Sequence, residues 1–124
     1  MAVKIIDASA VAAIVFAESK GESLTALLQH HALVAPTLLP FELTNVCLLK
    51  LLRHPTKREL LLAGYQLFHL MEIAYQEVNH FQTLTLAEQT GLTVYDAAYL
   101  WLARELQSEL ITLDQQLAQA AQKL

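Results

Sequence analysis

The sequence predicts an α/β domain, with a central, mainly parallel sheet of about four to five short strands flanked by helices. Three observations carry this reading. Short apolar runs at Val3–Ile6, Leu33–Ala35 and Leu110–Leu113 alternate with longer segments whose apolar residues recur at helical spacing. Two of those runs lead directly into an aspartate, Asp7 and Asp114, and open parallel sheets hold their ligands beyond the carboxyl ends of the strands. Finally, 124 residues, 55% of them hydrophobic, are enough for one core and leave no room for a second.

The elements follow in order. Val3-Lys4-Ile5-Ile6 reads as a buried first strand ending at Asp7, followed by a helix from Ser9 to Ala17 with Ser9 as N-cap. Gly21 breaks the chain before a second helix, Glu22 to His30, and Leu33-Val34-Ala35 is a strand stopped by Pro36. Phe41, Val46, Leu48, Leu49 and Leu52 give Pro40–Leu52 the broad apolar face of a helix, with Pro40 in its first turn. Thr56 with Glu59 three residues on is a capping-box pattern for a helix running to Leu70. Ile73–Val78 alternates as a strand does. Phe81–Gln89 is helical and stops at Gly91, Thr93 caps a helix over Val94–Leu106, and Leu110–Leu113 is the last strand before a short helix, Gln115–Lys123.

Composition excludes several classes. Only 16% of residues are charged and the mean hydropathy is +0.37, so the chain is not disordered, and its apolar excess predicts a dimer or a protein partner. The longest stretches free of charge and histidine, Ala8–Ala17 and Ala32–Phe41, are about half of the ~20 residues a membrane span requires. The single Cys47 excludes an internal disulfide framework and fits a reducing cytoplasm. Asp7 before the apolar Ala8–Ala17 run is unlike a signal peptide, so a mature cytoplasmic protein is expected. A net charge of −4 and a pI of about 5.6 rule out a broad basic footprint for nucleic acid. They do not rule out a metal-dependent enzyme acting on phosphates.

Three aspartates and one glutamate are embedded in apolar sequence and not in a solvated charged face. The only aspartates are Asp7, Asp96 and Asp114; Asp96 lies in Thr93-Val94-Tyr95-Asp96-Ala97-Ala98-Tyr99-Leu100, and Glu42 sits similarly near the start of Phe41-Glu42-Leu43-Thr44-Asn45-Val46. Any one of the four is equally explained as a helix cap or a partner for the helix dipole. Taken together they fit a different account. Carboxylates gathered in apolar surroundings push one another toward protonation, and a divalent cation removes that penalty. Oxygen-only ligands suit Mg²⁺ or Mn²⁺.

In order and spacing, Asp7-Ala8-Ser9, Glu42 with Asn45, Tyr95-Asp96-Ala97-Ala98-Tyr99-Leu100-Trp101-Leu102-Ala103 and Thr112-Leu113-Asp114 resemble the motifs of PIN domains. The nearest resemblance is to the VapC-type toxins of prokaryotic type II toxin–antitoxin systems, and it covers essentially the whole chain. It implies a PIN-like α/β/α sandwich and a metal-dependent endoribonuclease. Asp7, Glu42, Asp96 and Asp114 would surround one or two Mg²⁺ or Mn²⁺ ions that activate water against an RNA phosphodiester. Ser9 and Thr112 would hydrogen-bond a carboxylate or a coordinated water, with Asn45 on the same side as Glu42. It also implies a homodimer and a cognate antitoxin that places an apolar helix, with a basic side chain, against the acidic site. Two departures bear on the second ion: Gln107-Ser108-Glu109 stands where relatives carry a glycine, and Gln115-Gln116 where some carry a further acid.

The remaining signals are less specific. Lys50, Arg53, Lys57 and Arg58, with His54 among them, are either a phosphate-guiding patch or the solvated ends of two helices. Arg104, two turns beyond Asp96, either reaches RNA or pairs with an acid. The five histidines lack metal-ligand spacing, and the aromatic residues Tyr65, Tyr75, Tyr95, Tyr99 and Trp101 fit core or interface better than base stacking. No glycine-rich phosphate loop and no Gly-x-Ser-x-Gly elbow is present. Two other readings stay open at this point: a non-catalytic interaction module of PIN-like fold, and a PIN nuclease of RNA maturation.

Overall fold

The computed structural model describes residues 2–123. Its four strands are β1 (Val3–Ile6), β2 (Ala32–Pro36), β3 (Ile73–Gln76) and β4 (Glu109–Ile111). All pairings are parallel and the order is β3-β2-β1-β4. The helices are α1 (Ala8–Val15), α2 (Gly21–Leu28), α3 (Leu39–Arg53), α4 (Arg58–Leu70), α5 (His80–Thr90), α6 (Val94–Glu105) and α7 (Gln115–Gln122). Helix α1 packs on α2, α3 and α4, while α6 packs on α5, on α7 and on strands β1, β2 and β4, so the sheet is the middle layer of a sandwich. The expected α/β class and its largely parallel sheet are found.

This order places the site. The chain steps outward from β1 to β2 to β3, then returns to the far side of β1 as β4. The reversal leaves a crevice at the carboxyl ends of β1 and β4, where no crossover helix bridges the two strands directly. Asp7 follows β1 there, and Thr112 follows β4. The neighbouring core is apolar: Ile5, Ile6, Ala10, Val11, Leu39, Leu43 and Leu100 are all buried.

Several boundaries differ from those the sequence suggested, each for an identifiable reason. Helix α1 is capped by Asp7 and not by Ser9, because the Asp7 carboxylate reaches the Ala10 N–H at 3.0 Å. Gly21 opens α2 instead of preceding it: a Cβ there would lie 2.3 Å from the Ala13 carbonyl oxygen, so close helix approach, not helix breaking, selects glycine. Helix α2 then ends at Leu28, short of His30, whose φ of 66° is left-handed. Pro36 belongs to β2, in register with Gln76. The Thr56–Glu59 capping box does not form: Pro55 starts a short 3-10 turn, which moves the helix start to Arg58. The last strand is shifted toward the N-terminus. It pairs only as far as β1 extends, and the final ladder bond, from Asp7 N–H to the Ile111 carbonyl, releases Thr112 and Leu113 into the crevice. Thr93 and Gly91 cap α6 and α5 as expected, Gly91 at φ 75°.

Candidate active site

Each of the four acids sits at the amino end of a helix. Asp7 caps α1 and Asp114 caps α7, its carboxylate accepting from the Leu117 N–H at 2.9 Å. Glu42 lies in the first turn of α3 and Asp96 in the first turn of α6. The positive ends of four helix dipoles therefore meet a set of negative side chains, which offsets part of their mutual repulsion. The capping account and the site account are both satisfied by the same placement.

Asp7 is the centre of the arrangement and is 6% exposed. Ser9 Oγ donates to its Oδ1 at 2.7 Å, Thr112 Oγ1 donates to its Oδ2, and the Ala10 N–H adds a third bond. The bracing residues are themselves braced. Leu113 N–H donates to Ser9 Oγ at 2.9 Å, and Asp114 N–H donates to Thr112 Oγ1 at 3.0 Å. Ser9, Thr112 and Asp7 thus form one network linking α1 to the loop after β4. Both hydroxyls occupy the positions next to a carboxylate that the sequence suggested.

Electrostatics tie the four acids together. Burial raises the Asp7 carboxyl above its ordinary range; the bonds from Thr112, Ser9 and Ala10 oppose this, and the Asp114 charge adds to it. Glu42 is raised by burial, lowered by a bond from Tyr99, and raised again by Asp96 and Asp7. Asp96 is raised by burial and then by Asp114 and Asp7, against a lowering contact from Thr93. Each carboxylate in this list feels at least one other of the four. They form a single electrostatic cluster at the crevice.

Sequence reasoning missed one participant. Tyr99, 1% exposed, donates its hydroxyl to Glu42 Oε1 at 2.6 Å. The signal was available: Tyr99 follows Asp96 by three positions in α6, one turn along the same face. Burial, with the neighbouring carboxylates, holds its phenol far above the ordinary range, so it stays a hydrogen-bond donor.

The basic residues lie elsewhere. Lys50 is ion-paired with Glu18 and lies 5.5 Å above the Phe16 ring. Arg53 is exposed in the last turn of α3, roughly 16 Å along the helix from Glu42. Arg104 is exposed and lines a cleft of about 570 Å³ between α6, β4 and α7, together with Gln107, Ser108, Glu109 and Thr112. Thr112 thus borders both this cleft and the carboxylate cluster. Asn45 is exposed one turn beyond Glu42.

The donor set is chemically suited to a hard cation: oxygen atoms only, on acids that range from buried Asp7 through half-buried Glu42 and Asp96 to exposed Asp114. Among the described residues no three His, Cys, Asp or Glu side chains stand close enough together to hold a metal ion between them. An open set matches Mg²⁺ and Mn²⁺, which keep several waters and take one or two protein carboxylates.

Comparison with known proteins agrees with this layout. The PIN domain family model matches residues 4–123. Over 121 residues the chain is 34% identical to the protein named Ribonuclease VapC3 of Pyrobaculum aerophilum, covering 93% of this chain and 92% of that protein. The crystal structure of PAE2754 from Pyrobaculum aerophilum has a similar fold, with a TM-score of 0.68 at 22% identity over 97% of this chain and 87% of that one.

Proposed function

This chain belongs to the PIN-domain family, and from that premise we propose that it is a metal-dependent endoribonuclease, the toxin of a toxin–antitoxin pair. The observation that carries the proposal is the buried Asp7 carboxylate, held by three donors at the head of β1 amid the charges of Asp114, Asp96 and Glu42. Capping α1 accounts for one of these three bonds; an acid fixed on both oxygens where burial disfavours its charge also suits a ligand for Mg²⁺ or Mn²⁺. The relative named as a ribonuclease supports the choice of RNA.

Asp7, Asp96, Asp114 and Glu42 are the residues that would hold the cation. When bound, it supplies a Lewis acid that lowers the pKa of water for attack on the phosphodiester and offsets charge on the phosphate oxygens. Ser9 and Thr112 keep both Asp7 oxygens oriented, so that the carboxylate need not reorganise as charge develops. The helix ends of α1, α3, α6 and α7 add fixed positive potential near an anionic substrate. Arg104, which lines the adjoining cleft together with Thr112, would receive a neighbouring phosphate of the strand in this reading. Lys50 and Arg53 stand away from the cluster and have a lesser part in this reading.

A partner is part of the proposal. Phe41 (83% exposed), Leu52, Leu60, Leu70 and Phe81 place large apolar side chains in water, which supports a homodimer face and an antitoxin surface. No described helix is long and apolar enough to cross a membrane.

The decisive assay is RNA cleavage with and without Mg²⁺ or Mn²⁺, in the native chain and in Asp7→Asn and Asp96→Asn. Full activity in both variants would overturn the reading in favour of a non-catalytic interaction module.

A further inference from the structure

We infer that Tyr99 is a positioning residue for Glu42: its hydroxyl fixes the orientation in which the Glu42 carboxylate is presented to a divalent cation at the head of β1. The inference deepens the proposed function and rests on the assignment of Glu42 to the metal site.

The geometry is specific. Tyr99 is buried in α6 with its ring in the core, and its hydroxyl donates to Glu42 Oε1 at 2.6 Å, joining α6 to α3 across 57 positions of sequence. Glu42 is only half-buried in the first turn of α3 and has a long, rotatable side chain. Asp7 and Asp114 are held by being helix caps, whereas Glu42 has no such tether of its own. The phenol supplies it. With Oε1 engaged by Tyr99, the direction of the second oxygen is set, and it has no hydrogen-bond partner among the described residues. The same helix turn carries Asp96 three residues earlier, so one rigid element places one carboxylate directly and orients another through the hydroxyl.

A buried tyrosine hydroxyl requires an acceptor, and a purely structural role would also be served by a carbonyl. The choice of a carboxylate inside an acidic cluster is costly for that purpose, since the neighbouring acids already disfavour its charge. It is consistent with a group kept aimed at a cation.

The test compares Tyr99→Phe, Glu42→Gln and the double variant. Phenylalanine keeps the ring and removes only the hydroxyl. Mn²⁺ affinity is read from the metal-induced shift in melting temperature, alongside the melting temperature in chelator and the RNA cleavage rate against Mn²⁺ concentration. Loss of a residue that orients a metal ligand typically costs 10–100-fold in metal affinity or activity, and the expected result for Tyr99→Phe is an affinity about tenfold weaker. Its melting temperature in chelator is expected close to that of the native chain, and excess Mn²⁺ restores most of the cleavage. The double variant is expected to bind Mn²⁺ no more weakly than Glu42→Gln alone, because the hydroxyl acts through Glu42. Native Mn²⁺ affinity in Tyr99→Phe, with Glu42→Gln impaired, overturns the positioning role and leaves the metal site standing. Additive losses in the double variant overturn it as well. Native affinity in Glu42→Gln removes Glu42 from the site, and the inference falls with that assignment.

Discussion

The Thr112 hydroxyl donates to Asp7 Oδ2, joining residues 105 positions apart where β4 and β1 end side by side. Thr112 also accepts the Asp114 N–H, so one hydroxyl braces the buried acid and the loop that carries another acid. Replacing it with valine keeps the shape and leaves both partners short of a bond. Thr112→Val is expected to cost about 1–3 kcal/mol of stability, measured by denaturant unfolding, and to reduce cleavage by roughly 10–100-fold. Thr112→Ser is expected to recover most of both. A valine variant that cleaves as the native chain does would remove Thr112 from the network's functional part.

Asp7 is held above its ordinary value of 3.8, mainly by burial. A raised folded-state value means the protonated form favours folding: that contribution is complete below the unfolded value and is lost as pH climbs through the folded one. In chelator, Asp7→Asn is therefore expected to gain stability relative to the native chain as pH rises from about 4 toward neutrality. Unfolding curves of the two proteins at a series of pH values measure the difference. A gap that stays flat or narrows with pH contradicts the assigned burial cost.

Metal removal acts in the opposite sense. A cation that binds only the folded chain stabilises it by mass action, about 2.7 kcal/mol at 100 times its dissociation constant. For a domain of this size that corresponds to a melting temperature higher by roughly 10 °C. The shift is expected to shrink as pH falls, since protons compete for the same carboxylates, and to be greatly reduced in Asp7→Asn and Asp96→Asn. Calorimetry with and without Mn²⁺ decides the matter; identical melting curves would speak against a bound cation.

Gly64 provides a control remote from the chemistry. A Cβ at this position in α4 would lie 2.4 Å from the Val15 carbonyl oxygen and 2.9 Å from the Phe16 ring. Alanine must separate α4 from the end of α1, with an expected loss of about 1–3 kcal/mol. Because α1 is anchored at its other end by Asp7, the cleavage rate per folded molecule is expected to be unchanged. A large loss of activity in fully folded Gly64→Ala would show that the α1–α4 contact reaches the site.

Much of the architecture was written in local pattern. Val3–Ile6 is apolar enough to be a buried strand wherever it is placed, Thr93 caps α6 by its own hydroxyl, and Gly91 supplies the left-handed residue that ends α5. These depend on neighbours a few positions away, which a sequence displays. The candidate acids were legible for a related reason: three aspartates and Glu42, each set in apolar surroundings, stand out against a chain only 16% charged.

What the sequence alone could not determine were relationships between distant segments. Asp7 outcompetes Ser9 as the cap of α1, and Ser9 is drawn instead into the network with Thr112 and Leu113, because β4 pairs beside β1 and delivers those residues to it. The same pairing ends β4 at Ile111, since a strand persists only while its partner continues. Tyr99 shares a helix face with Asp96 in any reading, but only the packing of α6 near α3 gives its hydroxyl to Glu42. Local propensity and hydrophobic period thus determined the elements and marked the acids. The sheet order, by bringing the ends of β1 and β4 together, decided which side chains meet, since hydrogen bonds and charge coupling depend on distance in space and not along the chain.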